Sequence, residues 1–124
     1  MVSIDRFAEI LDDVACEFPP EFFNRLNGGI QIDENAKRHP KAAQEELYIL
    51  GEYCASRELG RSIQIYYGSF AQLYPHASEE LLRMEMRKTL RHEFRHHMES
   101  LSGEWTLAEE DDEKLEAYLE NAGS

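Results

Sequence analysis

The stretch from Ser78 to Gly103 constrains this chain more than any other. Ser78 is placed to cap a helix, and Glu79 and Glu80 fall in the first turn, where the helix dipole favours acids. Leu82, Met86, Leu90 and Phe94 then recur on one face, with Leu101 continuing the stripe, and Ser102-Gly103 ends the run. The pattern predicts one long amphipathic helix, and the rest of the chain has to supply the surface that covers it.

The flanking segments divide cleanly. Ile4, Phe7, Ile10, Leu11 and Val14 repeat at helical spacing behind a capping Ser3, and Pro19-Pro20 stops that helix. Pro20 opens a short second helix, Glu21 to Leu26, with Phe22, Phe23 and Leu26 facing inward. Asn27-Gly28-Gly29 ends it, and residues 29–32 read as a strand. Residues 33–46 read as a loop or an irregular turn of helix. Residues 47–53 and 62–67 are rich in β-branched and aromatic side chains and read as an antiparallel hairpin turned through 57–60. From Gly68 to His76 the chain is aromatic but irregular. Thr106 and Glu109 form a capping-box pair for a last helix carrying Leu107, Leu115, Tyr118 and Leu119. Helices at both ends around few strands give an α+β fold, a small antiparallel or mixed sheet packed against the long helix. No repeat or linker divides the 124 residues, so a single domain, 1–124, is expected.

Charge narrows the function. Thirteen Lys and Arg against 25 Asp and Glu give a net charge of −12, which opposes binding to nucleic-acid phosphates and to anionic membranes. No apolar run reaches the ~18 residues of a membrane helix. Acids spread through the N-terminal apolar stretch exclude a signal peptide, so a cytoplasmic location is expected. Cys16 and Cys54 lie far apart, form no CxxC, and read as reduced, small core residues.

One motif carries chemistry: His92-Glu93-Phe94-Arg95-His96, an H-E-x-x-H inside the long helix. Residues four apart share a helix face, so both imidazoles can reach one tetrahedral metal ion. Glu93 sits beside them and can take a proton from water activated by that metal. Arg83, Arg87, Arg91 and Arg95 form a line on another side of the helix, and residues 99–120, with nine acids and one Lys, are its expected partners. His97 points about 100° away from His96 and reads as a buried, hydrogen-bonded histidine. His39 and His76 lie in loops. Tyr66 and Tyr67 end the last strand on opposite faces, and the exposed one is a candidate to polarise a substrate carbonyl.

With strand 62–68, Arg87-Lys88-Thr89-Leu90 and above all the doubled histidine of His92-Glu93-Phe94-Arg95-His96-His97, the chain resembles the small bacterial zincin-like metallopeptidases. The resemblance implies a zincin-like α+β core whose strand before the helix, Ile63 to Tyr67, is a sheet edge beside the substrate. It also implies zinc held by His92 and His96, with Glu93 as general base. The chain departs from that family's pattern: Glu99 stands where a Gly is usual, Ser102 where an Asp is usual, and Arg95 where a small residue is common. The third metal ligand is therefore open. Glu99 faces the right way on the wheel, Glu104 follows the turn at Gly103, and Glu110 and Asp111 lie early in the last helix. A carboxylate from a second helix is the arrangement of His₂Glu zinc enzymes, and Asp111 is the expected ligand, with Glu110 and Glu99 in reserve.

The expected function is a zinc-dependent metallopeptidase (a hydrolase) acting on short or unfolded peptides. The alternative is a non-catalytic metal-binding or protein-interaction domain of the same shape. A metal-dependent nuclease is disfavoured by the charge.

Overall fold

The structure, a computed structural model, describes residues 1–39, 47–58 and 60–103. Its elements are α1 (Ile4–Ala15), a 3₁₀ turn (Pro20–Phe23), β1 (Gly29–Asp33), β2 (Lys37–Arg38), β3 (Tyr48–Ile49), β4 (Gly51–Ser56), β5 (Gly60–Tyr66), α2 (Tyr67–Leu73) and α3 (Glu79–Gly103). The class is α+β, with three helices and a small mixed sheet among the described residues. The expected last helix, with its Thr106 cap, lies outside the described residues. No helix among them is long and apolar enough to cross a membrane.

Local chemistry accounts for the helices. The Ser3 hydroxyl accepts from the Arg6 N–H at 3.2 Å, and the Ser78 hydroxyl accepts from the Leu81 N–H at 3.1 Å, so both predicted caps form. Phe7, Ile10, Leu11 and Val14 of α1 pack against Leu82, Met86, Leu90 and Phe94 of α3. Ile4 and Leu101, expected on those stripes, are exposed and half-buried respectively. The segment after Pro20 forms a single 3₁₀ turn, shorter than the predicted helix, yet it delivers Phe22 and Leu26 to the core.

The principal sheet has the order β1-β5-β4, with β1 parallel and β4 antiparallel to β5; β2 and β3 form a separate two-stranded ladder. The predicted hairpin is therefore present. Its predicted second strand, however, is not an edge. Because β5 is paired on both sides, Ile63 to Tyr66 have no free backbone for a substrate, Tyr67 already belongs to α2, and β1 and β4 are the edges instead. Ile63 and Ile65 alternate inward, while Gln64 and Gln31 meet on the other face.

Two further expectations are corrected. Residues 68–73, read as irregular, form helix α2 together with Tyr67, which was read as the end of a strand. Phe70 and Tyr67 stack edge-on against Phe7, so burial decides the conformation there. Cys16 is exposed and Cys54 half-buried, both as free thiols, so neither belongs to the core cluster.

Candidate metal-binding and catalytic site

Helix α3 buries two stripes. The apolar one faces α1. A second, made of Thr89, Glu93 and His97 at four-residue spacing, faces β4. At Gly51 the strand approaches so closely that a Cβ would stand 2.7 Å from the Thr89 methyl and 3.1 Å from Ile65 Cδ1. One turn along the helix, the Tyr53 N–H donates to the Glu93 carboxylate. One turn further, the Tyr53 hydroxyl donates to Nδ1 of His97 at 2.8 Å.

The helix and the strand edge enclose a cleft of about 570 Å³, with Glu93 on its floor beside His92, His96, Glu52 and Tyr53. A second cleft of about 390 Å³ shares Ile49, Gly51, His92 and Glu93 with it and extends the groove past Thr89 to Glu85 and Lys88. The exposed rings of His92 and His96 converge, with their Nε2 atoms 3.1 Å apart and their planes at 88°. Two nitrogens at that separation can each stand ~2.0–2.1 Å from one point between them, as zinc requires. Partial burial, together with the charges of His96 and Arg95, lowers the His92 pKa, which favours the neutral ring whose lone pair a metal needs. Glu93 is 5% exposed, and burial raises its pKa to about 7. The Tyr53 N–H opposes that rise, and the nearby Glu52 charge adds to it.

The other candidate residues fall differently. Glu99 faces the far side of the His96 ring, 3.6 Å from Nδ1, and accepts from Arg95 Nε at 3.2 Å, so its carboxylate is turned away from the two Nε2 atoms. Asp111, Glu110 and Glu104 lie outside the described residues. Arg83 pairs with Asp13 of α1 and Arg87 with Glu17 just past its end, while Arg95 pairs with Glu99, one of the acids expected to partner the arginine line. Tyr66 donates to Glu52 on the outer sheet face, and Tyr67 donates to the Val2 carbonyl, so neither lines the cleft. The tyrosine that does line it is Tyr53, which the sequence reading passed over. Its signal was the alternation of Gly51, Glu52 and Tyr53, which sets Gly51 and Tyr53 on the face opposite to Glu52. His97 is fully buried, as expected, and His76 is exposed away from the cleft.

The family resemblance drawn from the doubled-histidine motif is overturned. No protein-family model and no curated protein matches the chain. Among the described residues, no group of three or more His, Cys, Asp or Glu side chains is arranged to hold a metal ion, and Glu99, the acid one turn beyond, is bonded to Arg95. A solved structure that does match is that of a conserved hypothetical protein (TTHA0227) from Thermo thermophilus. It is 33% identical with a TM-score of 0.69, and the match covers 82% of this chain and 99% of that one. At that identity over almost the whole of the matched protein, the chain belongs to the same family as this conserved hypothetical protein of Thermo thermophilus.

Proposed function

We propose that the chain is a zinc-dependent metallopeptidase. The observation that carries this reading is the pair of Nε2 atoms of His92 and His96, 3.1 Å apart on the same groove as the buried carboxyl of Glu93. His92 and His96 would hold the ion, and the third donor expected of such a site, Asp111, is part of the proposal. Zinc supplies Lewis-acid chemistry, lowering the pKa of water towards ~7 and polarising a carbonyl. The rest falls to the chain's own groups. Glu93 takes the proton of the attacking water on a carboxylate oxygen and gives it to the leaving amine nitrogen as the C–N bond breaks. The open groove between α3 and the β4 edge suits a short or unfolded peptide. A zincin-like frame, with an edge strand running over the metal-holding turn of the helix, is the fold that goes with this proposal.

The test is zinc quantification on the wild type beside His96→Ala, followed by cleavage of a peptide library by wild type and Glu93→Gln. Wild type is expected to carry zinc and cleave, His96→Ala to lose the metal, and Glu93→Gln to keep the metal and lose turnover. Cleavage by Glu93→Gln at the parental rate would remove the general base. Zinc-loaded wild type that cleaves nothing would favour a non-catalytic metal-binding domain.

A further inference from the structure

His97 directly follows the motif, and neither metal binding nor proton transfer uses it. It is fully buried, with both ring nitrogens engaged. Nε2 stands 2.8 Å from the carbonyl oxygen of Asn24. A carbonyl only accepts, so Nε2 carries the hydrogen, and Nδ1 presents a lone pair to the Tyr53 hydroxyl 2.8 Å away. The tautomer is thus fixed by the fold. The Asn24 carbonyl belongs to the tight turn after the 3₁₀ segment, where the next residue, Arg25, adopts a left-handed φ of 63°.

Tyr53 is consequently attached to α3 at two points one helical turn apart. Its main-chain N–H reaches the Glu93 carboxylate and its side-chain hydroxyl reaches His97. Strand β4 cannot slide along the helix without breaking both.

We propose that His97 and Tyr53 are a positioning pair for Glu93: His97, anchored on the Asn24 carbonyl, holds the Tyr53 phenol and so fixes the strand whose N–H orients the carboxylate. The inference rests on the reading of Glu93 as the proton acceptor. Only the Tyr53 main-chain N–H touches the Glu93 carboxylate, and the two side chains of the pair act through it. Their effect is on how well the carboxylate is aimed, and an error of that kind costs rate before it costs binding.

The experiment uses Tyr53→Phe, which removes one hydroxyl, and His97→Gln, whose amide can still donate to Asn24 and accept from Tyr53. Full-length, zinc-loaded Tyr53→Phe is expected to keep the wild-type zinc affinity and KM while kcat falls about tenfold to a hundredfold. In the metal-free protein, the backbone amide at position 53 is expected to exchange about tenfold faster, as loss of roughly one hydrogen bond implies. His97→Gln, with the Tyr53 hydroxyl still present, should keep most of the parental kcat and amide protection. A purely structural role would lower the melting temperature of Tyr53→Phe and leave kcat of the folded enzyme alone. Parental kcat together with parental amide protection in Tyr53→Phe overturns the pair. Should wild type itself prove inactive, the role of Glu93 fails, and amide exchange at position 53 still decides whether the clamp exists.

Discussion

At the scale of single residues, Glu93 is held against its own preference. Its carboxyl is buried, and the one neighbouring dipole that favours ionisation, the Tyr53 N–H, does not offset the desolvation. In the unfolded chain a Glu ionises near ~4.3, so between that pH and about 7 the folded state binds the extra proton and stability falls as pH rises. The cost at pH 8 reaches ~3 kcal/mol in the metal-free protein, from a shift of this size at ~1.4 kcal/mol per unit. Glu93→Gln removes the charge and keeps an oxygen to accept from Tyr53. In chelator-treated protein the variant is expected to melt several degrees above wild type at pH 8 and close to it at pH 5. A variant no more stable than wild type at pH 8 would show that the carboxylate is better solvated than its burial indicates. His92, Glu93 and His96 were legible in the sequence because helical periodicity alone puts four-apart residues on one face. Tyr53 was not, because its role depends on which strand lies at the sheet edge, and local pattern does not specify that order.

The packing of elements turns on the approach of β4 to α3, and Gly51 permits it. Gly51→Ala would drive a methyl to 2.7 Å from the Thr89 Cγ2 and 3.3 Å from the Gln64 carbonyl oxygen. The expected cost is ~1–3 kcal/mol, typical of overpacking. Thr89→Ser removes the obstructing methyl and keeps the hydroxyl that donates to the Glu85 carbonyl at 2.8 Å. Added to Gly51→Ala, it should restore a good part of the loss. Urea denaturation of the two single variants and the double variant measures the coupling, and strict additivity would mean that the strand, not the methyl, gives way. Helices α1 and α3 were legible because cap, stripe and stop coincide in each. Helix α2 was not: Tyr67-Gly68-Ser69-Phe70 has poor helix propensity, and only the rings of Phe7 and Phe70 make the turn worthwhile. The central position of β5 was hidden for a related reason. Its partner β1 is parallel and distant in sequence, so nothing near residues 60–66 records it.

For the molecule as a whole, two kinds of contact join α3 to α1 and the segment that follows it. Arg83–Asp13 and Arg87–Glu17 bridge them at the surface, with Arg87 Nε 2.9 Å from its carboxylate oxygen. Beneath lies Phe94, fully buried, its ring 5.0 Å from Phe18, 5.5 Å from Phe22 and 5.0 Å from Phe23. The two contributions are unequal. Arg87→Ala should cost less than ~1 kcal/mol, as exposed ion pairs do. Phe94→Ala should cost ~3–5 kcal/mol, for lost burial and the cavity left behind. Equal losses in denaturant titrations would mean that the ion pairs, and not the aromatic cluster, hold the helix in place. The residue between the two halves of the motif is thus a hub of the core, and the two histidines stand on the most firmly seated part of the chain.

Among the described residues the three-stranded sheet has two edge strands, β1 and β4, and an unpaired edge invites another copy to add to it, the route by which sheet proteins polymerise. At β4 the middle of the border is already answered from within the chain: the Tyr53 N–H is satisfied by Glu93, which stands across the path a flat intruding strand would take. What remains on either side is a few residues long, with Gly51 pressed onto the helix at one end and Ser56 entering the hairpin at the other. The same carboxylate that is proposed to move protons therefore also guards the β4 edge against the addition of a strand.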